Sequence, residues 1–172
     1  PMAMPAAHLV AFCGDLGISA SRGALMLSVL TFAAFMARQF WGWLSDKIGG
    51  LWTVVFGSLA QILGMLGFLA TQDEAGLFFV AAAYGLGFSG IIPAYVLTLR
   101  ALFPAAEAHW RVPTLLFLSL SGMAAGAWLA GYIYDWLGFY AAAWWAGIGF
   151  NLIQFALILF LLLRWRRGMA QG

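Results

Sequence analysis

The stretch Arg38-Gln39-Phe40-Trp41-Gly42-Trp43-Leu44-Ser45-Asp46-Lys47-Ile48-Gly49-Gly50 begins inside an apolar run and ends in a polar reversal. The run it closes, Gly23–Leu44, is 22 residues long and carries one charge, Arg38. At about 1.5 Å per residue, a helix of that length crosses the hydrocarbon core of a bilayer. An arginine inside that core is costly, so it must face protein or water rather than acyl chains. Asp46 and Lys47 then fall where headgroups begin. Gly49 and Gly50 let the chain turn into the next apolar run.

Composition agrees with this reading. Of 172 residues, 65% are apolar and 8% are charged, against about 25% charged in a soluble domain. A water-soluble core of this size could not hide so much apolar surface, so lipid is the outer solvent. The 21 glycines suit closely packed membrane helices. Trp43, Trp52, Trp136 and Trp165 stand near span ends, where interfacial belts form. The single cysteine, Cys13, excludes an internal disulfide and a cysteine-based metal site. The net charge of +2 is information about topology rather than a nucleic-acid footprint.

The expected fold is an all-α polytopic transmembrane bundle with five complete spans, 23–44, 51–70, 77–102, 113–137 and 140–163. A partial span precedes them over 2–12, and a cytoplasmic tail follows over 164–172. The whole of 1–172 reads as one unit. Pro113 is expected at a helix start, where its missing N–H costs nothing. The third span is irregular, with Gly85, Gly87, Gly90 and Pro93 in its middle. The start at Pro1, without a charged segment and cleavage site, reads as a cut or processed end rather than a signal peptide.

With loops numbered alternately, one side receives Lys47, Arg100, Arg111, Arg164, Arg166 and Arg167, with Arg38 nearest it; the other receives only Arg22. This asymmetry predicts a cytoplasmic Asp46–Lys47 turn and C-terminus. An internal repeat matches that topology. Gly42-Trp-Leu-Ser-Asp46-Lys-Ile-Gly49 aligns with Gly131-Tyr-Ile-Tyr-Asp135-Trp-Leu-Gly138 at an offset of 89, and the same offset carries Arg22 onto Arg111. The two copies close spans on opposite sides, as an inverted repeat of three plus three helices requires. By that logic about a dozen residues of the partial first helix lie before Pro1.

Gly42-x-x-Ser45-Asp46-Lys47-x-Gly49 resembles the loop motif G-x-x-x-D-[RK]-x-G-[RK] of the major facilitator superfamily. The resemblance covers the whole chain and implies the C-terminal half of such a transporter, from its seventh helix, in part, to its twelfth. His8-Leu-Val-x-Phe-x-Gly-Asp15-Leu-Gly-Ile-Ser19, together with Arg38, is similar to the monocarboxylate transporter and oxalate/formate antiporter branches. In those branches an arginine at the Arg38 position is taken to bind the substrate carboxylate. The chain departs from the pattern at Gly50, where the motif's last basic residue is missing, and at Ala34, where monocarboxylate carriers tend to have aspartate. Its fourth span also lacks the lysine of the oxalate/formate branch.

Arg38 lies about 12 Å along its helix from Asp46. It reads as an anion-binding guanidinium facing a central cavity, the alternative being a snorkelling or helix-bridging arginine. His8 and Asn151 are further candidates for substrate binding, with a structural role as the alternative for each. Gly42, Asp46, Lys47 and Gly49 form a candidate gating motif, or an ordinary solvated turn. Gly87, Gly90 and Pro93 mark a helix break along the substrate path, or close packing. Gly122-x-x-x-Gly126 reads as a helix-packing seam, and Gln61 and Gln154 as interhelical polar groups.

These features predict transport of a small solute, a monocarboxylate or other organic anion, by alternating access in the inner or plasma membrane. The expected partners are the bilayer, the anion and an N-terminal six-helix half, supplied by the same polypeptide or a second copy. No metal, cofactor, nucleic acid or enzymatic activity is expected. The rival reading is a non-transporting membrane module that self-associates or scaffolds a partner.

Overall fold

The structure is a computed structural model that describes residues 2–169, with side chains through Arg164. The expected tail therefore lies outside the described residues from position 170, as do the side chains of Trp165, Arg166 and Arg167. The described chain forms seven α-helices: α1 Met4–Asp15, α2 Ala20–Ile48, α3 Gly50–Ala70, α4 Glu74–Phe88, α5 Ile91–Leu102, α6 Ala108–Leu137 and α7 Tyr140–Met169. A 3-10 turn, Ala105–Glu107, precedes α6. Five segments are long and apolar enough to cross a membrane, with α4 and α5 together making one of them. The protein is an all-α polytopic bundle.

An aromatic and methionine core joins α1, α2, α3, α4 and α7. Phe12 stands edge-on to Trp144 at 5.6 Å, and Phe68 stacks on Trp144 at 5.7 Å. Tyr84, Met26, Leu30 and Met65 fill the remaining space. Around this core, Phe32, Phe35, Phe79, Phe117, Trp128, Trp136, Ile153 and Phe160 are exposed. In water that rim would drive aggregation; in a bilayer it meets a solvent as apolar as itself. Helix α6 buries only Ala130, so most of its surface is uncovered.

Where elements end differs from the sequence reading in physically instructive ways. The Gly42–Gly49 motif is not a loop. Nothing in it breaks a helix before Gly49, so Asp46 and Lys47 form the last turn of α2. The reversal falls on Gly49 alone, which takes φ +84, a region that disfavours side chains. The second motif copy also closes its helix at a positive-φ glycine, although ψ is 156 at Gly49 and 9 at Gly138. Gly49 N–H donates to the Ser45 carbonyl at 2.9 Å and Gly138 N–H to the Tyr134 carbonyl at 2.7 Å, with φ +77 at Gly138.

Pro113 is not at a helix start but inside α6. The first turn is built ahead of it by the Glu107–Arg111 ion pair one turn apart and by His109 Nδ1 donating to the Ala106 carbonyl at 2.8 Å. The missing N–H of Pro113 therefore leaves only a carbonyl near the exposed helix end unpaired, where it costs little. Helix α1 runs on to Asp15, and α7 continues as helix to Met169, past its apolar segment Tyr140–Arg164. The irregular third span is broken in two between Phe88 and Ile91. A side chain on Gly122 would meet nothing within 4 Å, so this glycine packs against no other helix among the described residues.

Candidate substrate site and gating motif

Arg38 projects from α2 beside the break between α4 and α5. It lines an open hollow of about 240 Å³ with Phe88, Ser89, Ile92 and Pro93 from the break, and Met2 and Met123 from either side. A second hollow of about 180 Å³ shares Met2, Ile92 and Met123 with the first and adds Tyr95, Ser119, Gly122 and Gln154. The two adjoin across those three apolar walls.

The guanidinium of Arg38 makes no hydrogen bond or ion pair among the described residues, although it carries five N–H donors. The Ser89 hydroxyl on the same hollow is buried and also lacks a partner among them. Arg38 is exposed and the Ser89 hydroxyl is buried; an unpaired buried hydroxyl is costly, and the hollow therefore carries two donor groups with no acceptor among the described residues.

His8 and Asn151 are held elsewhere. His8 Nε2 donates to the Ala127 carbonyl at 2.8 Å, which leaves Nδ1 to accept the Tyr140 hydroxyl at 3.2 Å. The ring thus ties α1 to α6 and α7 and does not line the Arg38 hollow. Asn151 is fully buried between α3 and α7. Its amide donates to Gln61 Oε1 at 2.6 Å, and one turn on Gln154 Nε2 donates to Ser58 Oγ at 2.9 Å. Gln61 and Gln154 are the interhelical polar groups their composition suggested, and Gln154 also reaches the second hollow.

In the motif, Asp46 is exposed and has no ion pair among the described residues. Lys47 sets its ammonium over the Trp43 ring, 4.1 Å from the centroid. A side chain on Gly42 would meet nothing within 4 Å. The motif surface is therefore open. At the other end of α2, Arg22 pairs with Glu74 at the start of α4 and covers the Phe78 ring.

The break itself separates into two roles. Gly87 belongs to α4, where a side chain would run into Ala60 of α3. Gly90 and Pro93 make the interruption. Pro93 has no N–H for the Ser89 carbonyl four residues back. One residue that sequence reasoning passed over lines the hollow: Ser89 sits inside the Gly–Pro cluster.

The chain is 30% identical over 148 residues to monocarboxylate transporter 13 of Rattus norvegicus, and 27% identical over 147 residues to monocarboxylate transporter 13 of Bos taurus. The chain fits the C-terminal half of a major facilitator-type transporter. Each match covers 81% of this chain and 33% of the relative, so the chain spans about a third of the length of the curated proteins it matches. No protein-family profile matches it.

Proposed function

We propose that this chain forms half of a secondary transporter that moves a small organic anion, a monocarboxylate, by alternating access. The observation that carries the reading is an Arg38 guanidinium without a partner among the described residues, on a hollow that Ser89, whose buried hydroxyl is also unpartnered, helps to line. A carboxylate offers two oxygens, which suit a planar guanidinium fork with a hydroxyl donor next to it. The names of the two relatives point to the same class of cargo.

In this reading the protein transports rather than catalyses, and lies in the plasma membrane with the Asp46–Lys47 end of α2 and the C-terminus in the cytoplasm. The basic residues gathered at that end support the orientation. The uncovered face of α6 supports docking of a second six-helix half. Asp46 and Lys47, without ion-pair partners in the described half, act as the cytoplasmic latch against it. The positive-φ glycines that end both motif copies, Gly49 and Gly138, each bonded to the carbonyl four residues back, support the inverted repeat. His8 and Asn151 serve the site by holding helices in register, α1 to α6 and α7 through His8 and α3 to α7 through Asn151, rather than by touching cargo.

The test is uptake into proteoliposomes by the full encoded polypeptide. Acetate, butyrate, pyruvate and benzoate are offered as radiolabelled monocarboxylates. Arg38→Gln abolishes uptake of whichever is carried, and Arg38→Lys keeps a fraction, since an ammonium retains the charge without the fork. Unchanged uptake by Arg38→Gln contradicts the assignment.

A further inference from the structure

Trp41 is buried on a helix whose neighbouring aromatics, Phe40 and Trp43, face outward. Its indole Nε1–H donates to the Leu86 carbonyl at 2.6 Å. In an unbroken helix that carbonyl would accept the N–H of Gly90, four residues on. Here α4 stops at Phe88 and α5 begins at Ile91, so the joint leaves carbonyls without helical partners. In a bilayer core no water takes their place, and the indole does so for Leu86.

The same ring seals the joint sterically. A side chain on Gly90 would overlap the Trp41 Cβ and Cγ atoms, so the ring lies directly on the backbone at the break. Phe88, Ser89, Ile92 and Pro93 of this joint are walls of the Arg38 hollow. One side chain thus grips the wall that faces Arg38 while standing on the same helix, one turn from it.

We propose that Trp41 is a positioning residue for the anion site, fixing the α4–α5 joint against α2 and so setting the separation between Arg38 and Ser89. The proposal rests on the reading of Arg38 given above. Trp41 brings no charge to the hollow, so its effect on cargo comes through geometry alone. Trp41→Phe keeps a ring over Gly90 and deletes the N–H; Gly90→Ala keeps the N–H and displaces the ring.

The experiment uses the full encoded polypeptide in proteoliposomes with two readouts. The first is the reaction rate of a cysteine at position 89 (Ser89→Cys, native cysteines replaced) with a membrane-impermeant methanethiosulfonate, compared with Ala130→Cys, a buried position away from the joint. The second is the KM of the best-carried monocarboxylate among acetate, butyrate, pyruvate and benzoate, measured with Ser89 intact. Trp41→Phe is expected to raise the rate at position 89 several-fold, leave position 130 unchanged and raise KM by roughly 3- to 10-fold, the worth of one hydrogen bond. If Trp41→Phe fails to reach the membrane, Gly90→Ala supplies the same readouts. Unchanged labelling at 89, a parallel rise at 130, or an unchanged KM would each overturn the proposal. The labelling comparison uses no cargo, so it still decides the joint if Arg38→Gln shows the anion site to be wrong.

Discussion

Gly85 of α4 lies directly on the Leu30 carbonyl of α2, with no room for a side chain between them: a Cβ at position 85 would run into that oxygen. This helix crossing is therefore a contact of backbone with backbone. In lipid, where helix association draws on packing rather than on water exclusion, such contacts carry much of the assembly energy. Gly85→Ala is expected to destabilise the protein by about 1–3 kcal/mol, the usual cost of forcing atoms into a packed interior. Thermal unfolding in detergent measures this. Gly149→Ala, where a new methyl meets nothing within 4 Å, is the control and should change little.

Asn151 and Gln61 form a buried amide pair between α3 and α7. Asn151→Leu leaves the Gln61 amide stranded and is expected to cost about 0.6–1.7 kcal/mol, the range for such bonds in membranes. Asn151→Leu with Gln61→Leu should recover most of the loss, because replacing both partners removes the orphan. Uptake should follow stability through the series. A double variant that is stable yet has lost anion affinity would instead place Asn151 in contact with cargo.

His8 receives one bond from Tyr140 and gives one to Ala127. His8→Phe should therefore lower stability by about 1 kcal/mol per lost bond while leaving the KM for anion unchanged. A raised KM at unchanged melting temperature would mean that the ring reaches the path.

Asp46 is exposed, has no ion pair among the described residues and ends α2 beside Gly49 at φ +84. Two separable outcomes follow from that arrangement. Gly49→Ala forces a side chain into a left-handed conformation and should cost about 1–2 kcal/mol of stability. Asp46→Asn should leave stability within about 0.5 kcal/mol, as surface substitutions do. If Asp46 is the latch proposed above, the same variant slows uptake, which transport kinetics beside thermal unfolding can read.

The spans were legible because the hydrocarbon core permits so few solutions: a run such as Gly23–Leu44 has to be a helix. Ends and partners were less so. Pro113 followed the rule for helix starts in sequence, yet the Glu107–Arg111 pair and the His109–Ala106 bond build a turn ahead of it. Asp46 and Lys47 looked like a turn because polar residues end hydrophobic runs, but only Gly49 has the backbone freedom to end the helix. Arg38 could be singled out by cost alone, as a charge where charges are expensive. His8 and Asn151 could not be sorted in the same way. Their partners, Tyr140 and Gln61, stand 132 and 90 residues away and no local pattern announces them. Trp41 was hidden by its company, one inward aromatic among outward ones.

If Arg38 binds the anion, its guanidinium looks into water rather than lipid. Thiol accessibility at that position tests it most directly, with Arg38→Cys in the full encoded polypeptide, native cysteines replaced, reconstituted in liposomes. The expected result is reaction with a charged, membrane-impermeant methanethiosulfonate from at least one aqueous face. Reaction only with a lipid-soluble maleimide, and with no water-borne reagent from either face, would contradict it.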